Sequence, residues 1–335
     1  MPEIVIVGAG PGGLAAAKLL AEAGKDVLVL EKNEIPGLKV CAGGLSELDI
    51  RHGIPKSILE RSFKRVLLNL EGITLPIADS KPLLYTVRRT TLGKFQAKQA
   101  QKAGSKIRYN AKVTEIGKNF VKIGKEKVSF KFLIGADGSN SIVRKYLRLK
   151  SDKIAVAMEY EIKGNFKDLE VVFNKKMFGS LYAWVFPYKK SAMIGSGSHK
   201  ELSASEIRQN LDKWCMERGY EINNIMAAPI NCSYEGFKFD NIFLIGDAAG
   251  LTSALTGKGI GPAIVSGEEV ARGILNPDYD FPGIRELVRF NKRQLELRNF
   301  ISNHPYFTRF CYSLMPALIR IPQFKHKILR AAGLR

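Results

Sequence analysis

Cysteine is scarce in this 335-residue chain, and the four present, Cys41, Cys215, Cys232 and Cys311, form no CxxC pair. The sequence therefore predicts neither a disulfide scaffold nor a metal site, and it favours a reducing, intracellular setting. Because there is no apolar run of about 18 residues, we expect no transmembrane helix. The first residues enter an apolar run without a basic region or cleavage site, so no signal peptide is expected either.

Acidic residues are outnumbered by basic ones: 52 Lys and Arg against 32 Asp and Glu give a formal net charge of +20. Such a balance suits an anionic partner, such as nucleic acid, a membrane surface or an acidic substrate, or simply a lysine-rich surface. Consecutive Lys and Arg never reach five, so no nucleic-acid partner is predicted. The content of 45% hydrophobic and 25% charged residues indicates a folded chain, and its length predicts about two domains.

The first 31 residues have the pattern of a βαβ unit. A buried strand over residues 3–7 leads into the turn Gly8-Ala-Gly-Pro-Gly-Gly13, a helix, and a second strand that ends on Glu31. In such a turn the first glycine permits the bend, the second lets the backbone approach a pyrophosphate, and the third lets helix and strand pack closely. A carboxylate at the position of Glu31 can accept ribose hydroxyls and disfavours a 2′-phosphate. FAD or NAD is therefore expected rather than NADP.

Two later turns decide between FAD and NAD. Asp137-Gly138-Ser139 follows a buried strand, and Gly246-Asp247-Ala-Ala-Gly250 runs on to Thr256-Gly257-Lys258-Gly259-Ile260. An Asp in the second turn can bind a ribityl hydroxyl, and the amides of the next helix can meet a pyrophosphate or a flavin ring. The order and spacing of the three turns predict FAD.

These three signatures resemble those of the FAD-dependent para-hydroxybenzoate-hydroxylase-like superfamily over residues 1–275. The resemblance implies an α/β fold: a Rossmann-like FAD-binding domain with a parallel sheet, discontinuous in sequence, and an α+β substrate domain with an antiparallel sheet. Arg89 matches an arginine that usually touches the cofactor, and Val113 lies where backbone meets the adenine side. Gly93 stands where the superfamily often has Asp.

The expected domain organisation interleaves these two parts along the chain, with a helical C-terminal tail. The FAD-binding domain is predicted over residues 1–60, 86–150 and 235–280, the substrate domain over 61–85 and 151–234, and a helical basic segment over 281–335.

A second motif, Tyr182-Ala-Trp184-Val-Phe186-Pro187 followed by Gly195-Ser-Gly197, resembles the signature of the geranylgeranyl reductase family. The loop Lys39-Val-Cys41-Ala-Gly43-Gly44-Leu45 is similar to that family's cysteine-containing loop near the flavin. Alternate residues of a strand share a face, so the three aromatic side chains can form a wall for a prenyl chain. A plain aromatic core stripe is the alternative interpretation.

The resemblance implies that reduced flavin adds hydride to a prenyl C=C and that a proton completes the saturation. Such a site must exclude water and hold the alkene closely. Cys41 is the candidate proton donor, although it could equally be a small residue that touches the cofactor. The predicted cofactor-binding residues are Gly8, Gly10, Gly12, Gly13, Glu31, Lys32, Cys41, Ala42, Gly44, Arg89, Val113, Asp137, Asp247, Gly257, Gly259 and Ile260.

The chain departs from the reductase pattern after Asp247, where Ala254 and Lys258 replace the usual Pro and Glu. Lys258 could stabilise an anionic reduced flavin or could face solvent. Residues 289–335 carry ten Lys and Arg and one Glu, with apolar and aromatic residues between them. That tail could dock on anionic lipid headgroups, or it could be a helical cap with a solvated basic face.

The leading hypothesis is a cytoplasmic reductase of geranylgeranyl or polyprenyl chains, peripheral on the inner face of the membrane. With no second dinucleotide fingerprint in the sequence, the reductant is either a transiently bound NAD(P)H or a ferredoxin. The alternatives are a flavin monooxygenase of an aromatic or quinone ring, and an electron-transfer flavoprotein that reduces a quinone. Related quinone oxidoreductases usually carry iron–sulfur cysteines, which this sequence lacks.

Overall fold

The computed structural model describes residues 2–199 and 201–334. The strands are β1 (Ile4–Val7), β2 (Val27–Leu30), β3 (Gly44–Leu45), β4 (Arg61–Phe63), β5 (Arg65–Leu70), β6 (Ile73–Ala78), β7 (Leu84–Thr86), β8 (Lys106–Arg108), β9 (Val113–Ile116), β10 (Phe120–Ile123), β11 (Glu126–Ser129), β12 (Phe132–Gly135), β13 (Ile154–Lys163), β14 (Leu169–Phe173), β15 (Ala183–Pro187), β16 (Ser191–Ser198), β17 (Met226–Asn231), β18 (Lys238–Phe239) and β19 (Ile242–Leu244). The helices are α1 (Pro11–Glu22), α2 (Glu47–Ile50), α3 (Arg89–Lys102), α4 (Ile142–Tyr146), α5 (Lys175–Phe178), α6 (Ala204–Glu217), α7 (Gly246–Ala249), α8 (Ile260–Leu275), α9 (Pro282–Asn303), α10 (Pro305–Leu318) and α11 (Pro322–Ala331).

A six-stranded sheet in the order β18-β19-β12-β1-β2-β8 forms the first layer. Its strands are parallel except for the edge strand β18. All four residues of β1 are buried, as expected of a short apolar strand whose two faces are both covered. Helix α1 lies against α8 and α3. The parallel FAD-type sheet predicted from the sequence is confirmed.

A seven-stranded sheet in the order β17-β13-β16-β15-β14-β5-β6 forms the second layer. Neighbouring strands are antiparallel except for β14 and β5, which run parallel. That single parallel pair joins the early hairpin β5–β6 to strands that lie about a hundred residues later. Helix α6 packs on this sheet through Ile207, Leu211 and Trp214.

Both sheets are assembled from separate stretches of chain. The first takes its strands from residues 4–30, 106–135 and 238–244, and the second from 65–78 and 154–231. This distribution agrees with an interleaved organisation, while the domain boundaries given above stay a prediction. Two small sheets, β11-β10-β9 and β3-β7-β4, complete the strands of the described chain.

The C-terminal residues are helical, as the sequence predicts, and they form the three helices α9, α10 and α11. Helix α9 lies against α8, and α10 lies against α9 and β6. In α11, Leu329 is buried in a cluster with Phe63 of β4 and Leu169 of the second sheet. Over the described residues, no helix is both long enough and apolar enough to cross a membrane.

Candidate active site

A cavity of about 1050 Å³ lies where the loops after β1, β2, β12 and β19 meet the seven-stranded sheet. In α/β folds, ligands bind in the crevice beyond the carboxyl ends of parallel strands. Every cofactor-binding residue and every aromatic-wall residue predicted from the sequence lies in the lining of this cavity.

The turn between β1 and α1 is shaped by its glycines. Gly8 has φ +104°, and a Cβ there would lie 2.5 Å from the Ala136 carbonyl oxygen. A Cβ on Gly13 would lie 2.2 Å from the Gly8 carbonyl oxygen, and one on Gly12 would lie 2.5 Å from the Ala263 carbonyl oxygen. Gly10 is different, because a Cβ there would lie 3.8 Å from the nearest atom, the Ala136 carbonyl oxygen. The second glycine of the fingerprint therefore leaves open space beside its backbone.

Helix α1 begins directly after this turn. In the described structure no side chain caps its N-terminus, and its first turn holds no acidic residue. Its first N–H groups and the positive end of its dipole are therefore free for an anion. This geometry suits a pyrophosphate.

Glu31 is buried, and its carboxylate accepts three hydrogen bonds from neighbouring residues. Its Oε2 accepts the Ala9 backbone N–H at 2.7 Å, and its Oε1 accepts the Asn33 backbone N–H at 2.9 Å and the Asn33 side-chain amide at 2.8 Å. The carboxylate thus ties the end of β2 to the glycine turn, a role that the sequence did not reveal. Glu31 and its neighbour Lys32 both line the cavity. The ribose contact stays a prediction.

Asp137 and Arg144 have separate roles in the second turn. Asp137 Oδ2 accepts the Ile142 backbone N–H at 2.7 Å at the start of α4, while its Oδ1 is buried without a partner among the described atoms. Burial raises the pKa of Asp137. Arg144 points away from the cavity and donates to the backbone carbonyls of Ala248 at 3.1 Å and Ser233 at 2.6 Å. Arg144 therefore fixes the turn rather than a ligand.

Asp247, in the third turn, is held by three side chains. Its Oδ2 accepts Lys39 Nζ at 2.6 Å and Ser139 Oγ at 3.0 Å, and its Oδ1 accepts Thr252 Oγ1 at 2.6 Å. Burial opposes its ionisation, but Lys39 and the two hydroxyls outweigh burial, so the pKa of Asp247 is lowered. The carboxylate therefore stays charged in the cavity wall. Sequence reasoning named Lys39 in a motif but missed this pairing.

Arg89 is the first residue of α3 and lines the cavity. It is 7% exposed, and its Nη1 has no hydrogen-bond partner within the described chain. A buried unpaired donor of this kind is costly unless a ligand accepts from it. Gly93 on the same helix lies against Pro36, and a Cβ there would come within 2.8 Å of the Pro36 carbonyl. An Asp at this position would not fit.

The start of α8 offers a second free helix N-terminus. Gly257 has φ +61°, Gly259 precedes the helix, and no side chain of the described residues caps it. Ile260 is the first helical residue. Tyr182 Oη donates to the Thr256 carbonyl at 2.5 Å, which links this turn to the aromatic wall.

Lys258 does not face solvent, so that alternative is wrong. Its Nζ donates to Ser46 Oγ at 3.0 Å and to the Gly333 carbonyl at 2.6 Å, and it lies 3.6 Å from Asp49 Oδ2. Burial lowers the pKa of Lys258 while Asp49 opposes that shift. The lysine lies in the cavity lining and also holds the C-terminal chain. Its contact with a reduced flavin stays a prediction.

The loop with Cys41 lies against the aromatic strand. Cys41 is half-buried and lines the cavity. The Tyr188 hydroxyl donates a hydrogen bond to the Ala42 carbonyl at 3.2 Å. A Cβ on Gly44 would lie 2.5 Å from Phe186 Cε1. The glycines of this loop therefore allow its backbone to approach Phe186 closely.

Strand β15 divides its side chains between two faces. Ala183, Val185 and Pro187 are buried, whereas Trp184 and Phe186 are half-buried and line the cavity. Tyr182 precedes the strand, and its ring centre lies 6.0 Å from that of Trp184. The aromatic residues thus form a cavity wall, and the alternative of a plain core stripe is wrong.

The first glycine of the Gly195-Ser-Gly197 pair makes room for this wall. A Cβ on Gly195 would lie 2.5 Å from Trp184 Cζ2 and 2.7 Å from Glu159 Cβ. Glu159, on β13, is a cavity residue that sequence reasoning missed. Burial raises its pKa to about 7. No local signal in the sequence distinguishes it, because the same strand carries a second glutamate, Glu161, two residues later.

Taken together, the residues present fit FAD. They supply a glycine turn with open backbone, two free helix N-termini, a charged Asp247 and an unpaired Arg89 guanidinium nitrogen. Among the described residues, no cluster of His, Cys, Asp and Glu could hold a metal ion.

Comparison with known proteins supports this assignment. Residues 6–53 match the NAD(P)-binding Rossmann-like domain, and residues 71–274 match the FAD binding domain. The digeranylgeranylglycerophospholipid reductase of Methanococcus vannielii is 30% identical over 310 residues, which cover 83% of this chain and 78% of the relative. The enzyme of the same name from Methanocaldococcus jannaschii is 29% identical over 323 residues, or 86% of this chain and 81% of the relative.

Solved structures share the fold. A geranylgeranyl bacteriochlorophyll reductase-like protein of Thermoplasma acidophilum has a TM-score of 0.79 at 23% identity, over 90% of this chain and 87% of that one. The p-nitrophenol 4-monooxygenase of Pseudomonas putida has a TM-score of 0.77 at 16% identity, over 100% and 98% of the two chains. The fold alone does not separate a reductase from a monooxygenase. The FAD domain match and the 30% identical relative place the chain in a family: it belongs to the FAD-binding oxidoreductases that include the digeranylgeranylglycerophospholipid reductases.

Proposed function

We propose that this protein is an FAD-dependent reductase that saturates C=C bonds in geranylgeranyl or polyprenyl chains of isoprenoid membrane lipids or their precursors. The observation that carries the proposal is the aromatic wall of Tyr182, Trp184 and Phe186, which shares one cavity with the FAD-binding turns. The names of the relatives, digeranylgeranylglycerophospholipid reductases, support the same substrate class.

The cavity beside the aromatic wall is lined by apolar side chains of the second sheet. They are Val66 and Leu68 of β5, Ile77 of β6, and Val171 and Phe173 of β14. Leu83 and Leu84, at the start of β7, extend this apolar lining. An aliphatic chain gains about 25 cal/mol for each Å² of apolar surface that it removes from water. A prenyl chain therefore suits this half of the cavity better than a small polar ring does.

The chain's own residues would hold FAD at the β1–α1 turn, at Asp247 and Arg89, and at the start of α8. When bound and reduced, FAD supplies a hydride to the alkene. Isolated alkenes are poor hydride acceptors, so the protein must hold the double bond close and exclude water. Trp184 and Phe186 would contribute to both tasks, because their rings would cover one side of a prenyl chain in the cavity.

A direct test uses protein loaded with FAD, reduced by dithionite without oxygen, and mixed with geranylgeranyl diphosphate or a digeranylgeranylglyceryl phospholipid. Dithionite makes the result independent of whether NAD(P)H or a ferredoxin is the natural donor. We expect products that carry two additional hydrogens per saturated bond by mass spectrometry. An enzyme that leaves both substrates unchanged, but consumes oxygen with NAD(P)H and a phenol, would be a monooxygenase instead.

We further propose that α10 brings the cavity to an anionic lipid surface. One side of α10 exposes aromatic residues, with Tyr306 90% exposed, Phe307 53% and Phe310 58%. Leu297 of α9 and Leu329 of α11, in the helices that flank α10 along the chain, line the cavity. Apolar side chains inserted at the headgroup level, with basic neighbours around them, are typical of interfacial helices. A lipid substrate could then enter from the bilayer to which the protein, in the cytoplasm, is peripherally bound.

A further inference from the structure

Glu159 lies in the middle of β13, the strand next to the edge strand β17 in the second sheet. It pairs in register with Gly195 of β16 and with Met226 of β17. The side chain is 1% exposed and lines the cavity, and neither carboxyl oxygen has a hydrogen-bond partner within the described residues. A buried carboxylate without partners is strongly disfavoured, so such a group tends to hold its proton.

The groups around Glu159 explain its protonation. Burial is the largest cause and raises the pKa of Glu159 to about 7, and the negative charge of Glu161 acts in the same direction. The Cys41 backbone N–H and the Trp184 indole N–H face the carboxyl and oppose the shift, but neither contact closes to a well-formed hydrogen bond. The guanidinium of Arg88 is paired with Glu161 at 2.8 Å rather than with Glu159. Near neutral pH a large share of Glu159 therefore carries a proton.

Glu159 also lies beside the residues that would hold the alkene. The Cα of Gly195, opposite it in the ladder, leaves space that both Trp184 and Glu159 occupy. Cys41 lies on the facing loop. The acid thus lies between the aromatic wall and the loop that, by family resemblance, is near the flavin.

We propose that Glu159 is the catalytic acid that donates the proton which completes saturation of the prenyl double bond. This inference rests on the proposed reductase function. One alkene carbon takes the hydride that the reduced cofactor supplies. At the other carbon a C–H bond forms as the Glu159 O–H bond breaks, so the hydride and the proton together add two hydrogens. The hydride carries the two electrons that reduced FAD would supply, and Glu159 is left as a carboxylate that takes a proton from solvent before the next turnover.

This assignment makes Glu159 the proton donor in place of Cys41, the candidate that the sequence suggested. Cys41 then has a positioning role, because its backbone N–H faces the Glu159 carboxyl. A backbone N–H survives substitution of the thiol. Cys41→Ser should therefore retain most of the proton-transfer rate, whereas Glu159→Gln should not.

The test compares single turnovers of FAD-loaded, dithionite-reduced variants with geranylgeranyl diphosphate. General acid catalysis is worth roughly 100-fold or more, so we expect Glu159→Gln to lose at least about that factor in the rate of product formation. Glu159→Asp should recover part of the rate. Glu170→Gln is the matched control: Glu170 lies on β14 of the same sheet, outside the cavity lining, and forms an ion pair with Arg218 at 2.7 Å. It should keep the wild-type rate.

A second measurement does not depend on turnover. Infrared difference spectra of the FAD-loaded wild type between acid and alkaline pH should show a buried protonated carboxyl that titrates near pH 7 and is missing in Glu159→Gln. FAD affinity, followed by flavin fluorescence, should be equal in all variants. Equal rates for wild type and Glu159→Gln, or a carboxyl that is already ionised at pH 5, would overturn the role of Glu159. If the wild type itself saturates no prenyl chain, the reductase proposal fails, and that result is separate from the carboxyl titration.

Discussion

Some polar side chains of the cavity are distinguished by the hydrogen-bond partners that they lack. Arg89 Nη1 and both oxygens of Glu159 are buried without partners among the described atoms, whereas nearby Arg88 is paired with Glu60 and Glu161. Buried polar atoms in native proteins nearly always have partners. Unpaired ones that line a cavity therefore indicate where ligands bind.

The first prediction concerns Arg89. Hydrogen bonds to charged groups are worth about 1.5–3 kcal/mol, so Arg89→Ala should weaken FAD binding by roughly 10- to 100-fold. Arg88→Ala is the control, because the neighbouring guanidinium pairs with acidic residues and does not line the cavity. Titration of the apoprotein with FAD, followed by flavin fluorescence, measures both affinities. Equal losses in the two variants would contradict the assignment.

The second prediction concerns Trp184. Removing its ring with Trp184→Ala takes away a large apolar contact for the prenyl chain, and the KM for a prenyl substrate should rise about 10-fold, the equivalent of 1.4 kcal/mol. Trp184→Phe keeps an aromatic ring and should stay close to wild type. FAD affinity should be unchanged in both. An unchanged KM in Trp184→Ala would exclude this wall as the prenyl site.

The third prediction concerns pH and the pair Lys39–Asp247. The pKa of Asp247 is lowered in the folded protein, so its contribution to stability is present above the pKa of an unfolded Asp and is lost as pH falls through the lower folded value. Lys39→Gln should reduce stability near pH 7 by about 0.5–1 kcal/mol, since Lys39 is partly exposed. The difference should vanish in acid. Denaturant unfolding at several pH values measures it, and a constant difference would contradict the pairing.

Many residues of the site could be predicted from the local sequence, but others could not. The glycines of the first turn, Asp137 and Asp247 are signalled locally, because a turn and the strand before it are contiguous in sequence. Glu159 and the Lys39 pairing depend on which distant segments cover them. Burial that a tertiary contact creates leaves no trace in the local pattern.

The strands show that a sequence pattern can predict a strand correctly without predicting which strand it pairs with. The alternation of β15 is confirmed, since its two faces differ in burial. The antiparallel character of the second sheet is also confirmed, but β14 pairs with β5 in parallel. Strand direction within a pair depends on how the chain returns to the sheet, and the chain between residue 85 and β14 includes two strands of the first sheet, β8 and β12. Periodicity carries no information of that kind.

Helix α10 gives the fourth prediction. Replacing Phe307 and Phe310 by Ser removes two exposed rings from the proposed membrane face and should lower affinity for anionic vesicles about 10-fold in sedimentation. Met216→Ser is the control, because Met216 is 62% exposed on α6. Vesicles of neutral lipid should bind the wild type more weakly. Equal binding to neutral and anionic vesicles would remove the electrostatic part of the proposal.

The whole molecule carries a net charge of +20, and this leads to the fifth prediction. Exposed charges are screened over roughly 10 Å at 0.1 M salt, so vesicle binding should weaken steeply between low salt and 0.5 M salt. The part that survives high salt measures insertion of the α10 aromatic side chains. Binding that does not change with salt would assign the excess charge to general solubility.

The order of strands in the first sheet has a consequence for biosynthesis. Strand β12 pairs with β19, and the chain between them includes most of the second sheet. A ribosome therefore releases β12 long before its neighbour exists, and the open edge of β12 stays available to other chains meanwhile. Contacts between such distant segments also form slowly. We expect the newly made polypeptide to need chaperone protection until residue 244 has emerged, and to refold slowly from denaturant.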